Sequence, residues 1–170
     1  MSVVVRPSWL NPKITIKQSA IAQVGMIATE CIRTGEVVVV FGGPYADTEG
    51  AQLAIQHGKG VMQWDEDVWS IEAEGDDPVY RINHSCAPNT WMLDVFTLVA
   101  RTEIQPGQEV TADYALWEAN EDYVSAWTCG CGTPQCRGRV TGRDWRLPQL
   151  QREYAGHFSP LLNRRILTAV

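Results

Sequence analysis

The first forty residues set short apolar runs between turn-forming punctuation. Val3-Val4-Val5 and Ile14-Thr15-Ile16-Lys17 are separated by Pro7, Asn11 and Pro12, a pattern that predicts two short strands with a broken connection. Gln23 to Ala28 carries one glycine, Gly25, ahead of an apolar stretch, so a turn feeding a strand is expected. Ile32-Arg33-Thr34-Gly35-Glu36 predicts a tight turn. Val37 to Phe41 is an almost pure β-branched run closed by Gly42-Gly43-Pro44. Branching at Cβ restricts χ1 and suits a pleated strand better than a helix.

From Asp47 to His57 the alternation disappears, and a short helix or an irregular insert is expected. Val61-Met62-Gln63-Trp64 and Val68-Trp69-Ser70-Ile71 read as two strands of a hairpin hinged on Asp65-Glu66-Asp67, and Gly75-Asp76-Asp77-Pro78 then breaks the chain. Thr90 to Arg101 alternates as one strand. Ile104 to Glu109 places Pro106 and Gly107 where a type II turn wants them, and Val110 to Tyr114 is a further strand. Helical spacing is confined to Leu147, Leu150 and Tyr154, with Phe158, Leu161, Leu162 and Ile166 extending it after a break at Pro160. Many short strands with little helix predict a mainly-β fold.

Composition narrows the class. A chain of 170 residues with 45% hydrophobic content suits one domain with a real core and a small appendage. The apolar runs are too short to span a bilayer and no charged-then-apolar leader opens the sequence, so a soluble protein with no membrane partner is expected. Residues 1–136 hold 7 Lys+Arg against 18 Asp+Glu, a charge of −11, whereas residues 137–170 hold 7 Arg against 2 acids, a charge of +5. An acidic body disfavours direct nucleic-acid binding and favours a basic, lysine-containing protein partner, unless these charges are merely solvated faces.

Chemistry concentrates in Tyr80-Arg81-Ile82-Asn83-His84-Ser85-Cys86-Ala87-Pro88-Asn89, which sets an amide, an imidazole, a hydroxyl and a thiol in a row. Asn, Ser and Pro favour local turns over ladders, so this is a loop that carries function. Three further thiols, Cys129, Cys131 and Cys136, crowd a Gly- and Pro-containing segment with no core pattern of its own. Four thiolates around one structural Zn²⁺ would staple it, with Cys86 as the fourth ligand and no position open for substrate. The competing possibility is buried thiols or disulfides; cysteines one residue apart rarely form a relaxed disulfide with each other. The unmatched Cys31 favours an intracellular, reducing compartment, cytoplasm or nucleus.

Asn83-His84-Ser85-Cys86-Ala87-Pro88-Asn89, Glu109-Val110-Thr111-Ala112-Asp113-Tyr114 and Cys129-Gly130-Cys131 with Cys136, taken in order and spacing, resemble the SET-domain protein lysine methyltransferases that carry a post-SET zinc segment. The resemblance implies small β-sheets tied by a pseudoknot, a SET domain over 1–120, and a post-SET zinc segment with a short helical tail over 121–170. It implies S-adenosylmethionine bound near Gln23, Val24, Gly25, Met26, Tyr80, Arg81, Asn83 and His84, with a lysine entering a narrow channel from the other face. Tyr114 matches the catalytic tyrosine. Ala112 stands where the family usually has Phe or Tyr lining the substrate channel, which implies di- or trimethylated product unless an aromatic such as Trp91 or Tyr45 refills the space. Trp145 would either stack on cofactor or peptide, or plug the tail onto the body.

Two positions depart from the family pattern: Gln23 replaces the first glycine of its Gly-x-Gly turn, and Tyr80-Arg81 reverses its Arg-Phe order. These departures define an alternative, a catalytically weak SET-fold module that binds a basic protein. Nucleic-acid binding through the arginine-rich tail is the weakest of the readings.

Overall fold

The computed structural model describes residues 4–71 and 77–168, so Val3 of the first expected strand and Gly75-Asp76 of the expected break lie outside the described residues. The strands, in chain order, are β1 (Val4–Arg6), β2 (Trp9–Leu10), β3 (Ile14–Gln18), β4 (Val24–Ala28), β5 (Val37–Val40), β6 (Gly43–Ala46), β7 (Val61–Asp65), β8 (Val68–Ile71), β9 (Asn83–His84), β10 (Thr90–Met92), β11 (Thr97–Ala100) and β12 (Glu109–Ala112). Helices are α1 (Thr48–Gln56), α2 (Pro148–Glu153) and α3 (Pro160–Thr168), with 3₁₀ turns at Pro78–Arg81, Tyr114–Leu116 and Asp144–Arg146. Among the described residues the strands form three small sheets, ordered β1-β6-β8-β7, β10-β11-β5-β2 and β3-β4-β12-β9. The fold is mainly β, with small sheets and short helices, as a SET domain requires.

Local chemistry explains the elements. Val38 and Val39 of the β-branched run are fully buried. Asp47 caps α1 by accepting from the Gly50 N–H at 2.8 Å, and Ala51 and Ala54 form its buried face, so the segment left as helix or insert is a helix. Pro106-Gly107 closes a type II turn: Gln108 N–H donates to Gln105 C=O at 3.0 Å, and Gly107 takes φ +87°. Thr90 to Arg101 is not one strand. It is the hairpin β10–β11, because the Asp94 carboxylate accepts from the N–H groups of both Phe96 and Thr97 at 2.9 Å and turns the chain. The last expected strand also stops early, at Ala112: the Asp113 carboxylate caps Ala115 N–H at 3.0 Å and starts a 3₁₀ turn.

One interlock positions everything that follows. β12 pairs antiparallel with β4 and parallel with β9, through Thr111↔Asn83 and Ala112↔His84. Beyond β9 the same loop keeps hold of β12: Asn89 Nδ2 donates to Glu109 C=O at 2.8 Å, and its Oδ1 accepts from Thr111 N–H at 2.9 Å. The Thr90 hydroxyl donates to Thr111 C=O at 2.8 Å. This is the tie implied by the pseudoknot, and it brings residues 28 apart in sequence side by side.

The hydrophobic core is continuous across position 120. It joins Met26, Val39, Trp64, Leu98 and Leu116 to Trp145, Leu150, Tyr154, Leu161 and Leu162 of the tail. Trp145 is 2% exposed, so of its two expected roles the structure shows the plug. Charge follows the same division. Six of the tail's seven arginines meet the rest of the chain or each other's turn: Arg137 pairs with Asp113 and Asp144, Arg143 and Arg146 with Glu121, and Arg164 with Asp65, while Arg139 and Arg165 donate to the carbonyls of Ser125 and Ala119. The basic tail is largely a partner for the acidic body of its own chain.

Candidate active site and metal centre

Two cavities meet at Tyr114. The smaller, of ≈ 230 Å³, is lined by Ile21, Ala22, Asn83, His84, Tyr114, Trp127, Thr128 and Gly130. The larger, of ≈ 600 Å³, lies on the other side and is walled chiefly by aromatic rings, including Phe41, Trp64, Tyr80, Trp117 and Tyr123. The Tyr114 hydroxyl donates to Ile82 C=O at 2.8 Å, and burial pushes its pKa up to about 12, so it stays protonated as an oriented donor at neutral pH.

His84 is fixed from both sides. Its Nδ1 accepts from the Tyr114 backbone N–H at 3.3 Å, which leaves the proton on Nε2, 3.3 Å from Cys86 Sγ. Burial pushes its pKa down to about 4, against the pull of Asp113, so the ring is neutral at pH 7. Asp113, wholly buried beside Tyr114, takes a two-pronged bond from Arg137 at 2.8 and 2.6 Å, and accepts from the Tyr154 hydroxyl at 3.2 Å. The Arg137 Nε donates to Asp144 at 2.8 Å, which links the turn before α2 to the same network.

Asn83 sits where three elements converge. Its Nδ2 donates to Val24 C=O at 2.8 Å and to the Glu109 carboxylate at 2.6 Å, and that carboxylate also accepts from the Ser19 hydroxyl at 2.8 Å. A Cβ on Gly25 would lie 2.2 Å from Glu109 Oε1 and 2.6 Å from Asn83 Nδ2, so a side chain there would push the Glu109–Asn83 hydrogen bond apart.

The eight residues expected around the cofactor therefore separate. Asn83 and His84 line the smaller cavity, whereas Tyr80 lines the larger and donates its hydroxyl to Gly42 C=O at 2.5 Å. Gln23 and Val24 are exposed, Gly25 and Met26 are buried, and Arg81 lies outside both linings. Ala112 is fully buried and lines neither cavity. The two aromatics considered as fillers are engaged elsewhere: Trp91 stacks on His157 at 3.5 Å, and Tyr45 packs on Phe96 at 4.6 Å. Sequence reasoning missed Trp127, whose ring lies 6.2 Å edge-on from Tyr114, along with Asp113, Arg137 and Glu118. The position of Trp127, two residues before the first cysteine of the cluster, was the available signal.

The thiols of Cys86, Cys129, Cys131 and Cys136 converge until all four sulfurs lie within 4.8 Å of one another. A tetrahedral zinc with Zn–S of about 2.3 Å would set sulfurs about 3.8 Å apart, so the donor set fits one ion with small adjustment. Arg137 N–H points at Cys86 Sγ from 3.3 Å, the kind of donor that favours a thiolate. Burial pushes the free Cys86 thiol up to about 11, whereas Cys131, despite desolvation, is drawn down to about 6 by the Thr133 hydroxyl and by backbone N–H groups. Zinc would deprotonate the set outright. The same loop carries Trp127, Thr128 and Gly130 to the smaller cavity, so the metal centre and that cavity share a wall.

The SET domain family model matches residues 23–115, more than half of the chain, and the chain belongs to that family. The chain is 37% identical over 78 residues to the histone-lysine N-methyltransferase ash1 of Drosophila melanogaster, an alignment covering 41% of this chain and 3% of that protein. To the H3 lysine-4 specific histone-lysine N-methyltransferase of Mycosarcoma maydis it is 29% identical over 140 residues, covering 74% of this chain and 9% of that protein. The chain thus spans under a tenth of the length of these relatives.

Proposed function

We propose that this chain transfers methyl groups from S-adenosylmethionine to the side-chain amine of a lysine in a basic protein, a histone or a histone-like substrate, inside a reducing compartment. The observation that carries the reading is Tyr114, which lines both cavities and so stands where a donor on one side and an acceptor on the other would meet. The smaller cavity offers an aromatic face in Trp127, an apolar edge in Ile21 and polar groups in Asn83 and His84, a lining that suits a nucleoside joined to an amino acid. When bound, S-adenosylmethionine supplies a methyl group on a sulfonium centre.

The protein's part is alignment and control of charge. A lysine ammonium, with a reference pKa of about 10.4, must lose a proton before its nitrogen can attack. The ammonium is the form that enters the larger cavity; beside Tyr114, next to a sulfonium cation and away from water, the neutral amine is favoured. The Tyr114 hydroxyl, held on Ile82 C=O, serves as a fixed dipole rather than a base, and neutral His84 adds no cation beside a sulfonium. One zinc on Cys86, Cys129, Cys131 and Cys136 would secure the wall that carries Trp127.

Tyr114→Phe tests the assignment because it removes a hydroxyl and keeps the ring. S-adenosylhomocysteine binding by calorimetry should remain, while transfer to core histones, read by mass spectrometry, should fall by at least about 100-fold, as for loss of a preorganised donor. Unchanged turnover would remove Tyr114 from the mechanism. Cofactor binding without transfer by the unaltered protein would leave a binding module.

A further inference from the structure

The larger cavity is lined by aromatic and aliphatic side chains, two amides, Gln63 and Asn120, and one acid, Glu118. Its backbone N–H donates to Tyr114 C=O at 2.9 Å, which ties Glu118 to the turn that begins at the tyrosine. The Glu118 carboxylate accepts from Asn120 N–H at 3.0 Å and forms no ion pair among the described residues. Arg165 reaches this neighbourhood from α3, but it donates to Ala119 C=O at 3.0 Å instead. Burial raises the pKa of Glu118, so the free protein holds this charge at a cost.

An unpaired carboxylate among ring faces fits a cation on an apolar stem: the stem lies on the rings and the charge meets the carboxylate. We propose that Glu118 is the specificity-determining residue of the larger cavity, the charge partner that selects a lysine ammonium, with or without methyl groups, over a neutral side chain. Methylation removes N–H donors from an ammonium but leaves its charge, and both a carboxylate and aromatic faces read charge. Free and methylated lysine are therefore both retained. This inference rests on the assignment of that cavity to the acceptor lysine and names what the cavity recognises.

Glu118→Gln keeps the size of the side chain and removes its charge. Trp64, Trp69 and Trp117 line the cavity, so their fluorescence reports occupancy without any knowledge of the natural substrate. The unaltered protein should bind n-butyltrimethylammonium at least about tenfold more tightly than the neutral hexan-1-ol, in line with the strength of charge-assisted contacts. The variant should lose most of that preference and keep only what the ring faces confer. With core histones and S-adenosylmethionine, KM should rise about tenfold in the variant while kcat changes less than twofold. A merely structural Glu118 would make the variant less stable; a residue kept for binding leaves the melting temperature of the variant unchanged or higher, since a half-buried charge without an ion pair is gone. Equal cation selectivity in the two proteins, or a variant that melts lower with KM unaltered, overturns the assignment. Cation selectivity in a protein that methylates nothing leaves Glu118 in place and removes the enzymatic reading.

Discussion

Replacing Arg137 by methionine isolates the buried charge network that joins the cysteine cluster to the turn that begins at Tyr114. The arginine side chain is 13% exposed and Asp113 is fully buried, so their pair lies in a poorly screened environment. In Arg137→Met the Asp113 carboxylate would keep only the Ala115 N–H at 3.0 Å and the Tyr154 hydroxyl at 3.2 Å. Asp144 fares better because the Thr141 hydroxyl remains at 2.6 Å. Stranding one partner of a buried pair costs about 3–5 kcal/mol. For a domain of this size each kcal/mol moves the melting temperature by about 2–4 °C, so a fall of roughly 6–20 °C is expected. Adding Asp113→Asn removes the stranded charge and should restore more than half of the loss, giving strongly non-additive energies in a double-mutant cycle. Methionine keeps the backbone N–H that points at Cys86, so zinc content should be unchanged. Urea melts of the zinc-loaded single and double variants supply the energies. A single variant within about 1 kcal/mol of the parent, or a double variant that is the sum of the two singles, would refute the reasoning.

The purified protein should contain one zinc per chain, and Cys86→Ser should lower that content, as read by elemental analysis; full retention would exclude Cys86 from the ligand set. The Glu36 carboxylate is held at about 2, from 4.5, by hydrogen bonds from Lys13 first, then Asn11 and the Arg33 N–H. A pKa depressed on folding adds stability above the unfolded value that is lost as pH falls from about 4.5 to 2, so Glu36→Gln should lose less stability across that window in acid melts; identical acid sensitivity would contradict it.

Alternation and β-branching placed β3, β5, β7 and β8 because each depends on its own side chains facing one core. Local turn chemistry placed Pro106-Gly107, where a fixed φ and a positive φ meet in adjacent residues. The same logic was available at Asp94 but was masked by apolar residues on either side, and one strand was expected where the carboxylate makes a hairpin. Asp113 likewise looked like strand, since nothing local announces that its side chain will cap a 3₁₀ turn while holding a distant arginine.

The four cysteines were legible as a set because thiol spacing in a coreless loop has few uses. The cavities were not. Trp127 and Trp145 look equally suited to a site in the sequence, yet one borders Tyr114 and the other is core. Glu118 reads as one acid among 20, and only its place in the lining of an aromatic cavity makes it unusual. What the sequence alone determined was most of the local elements, the set of four cysteines and the motif residues of a SET domain, all decided by neighbours along the chain. The tertiary structure decided which aromatics face a void, which charges are spent inside the protein and which carboxylate is left without an ion pair among the described residues. Those properties come from contacts between segments far apart along the chain.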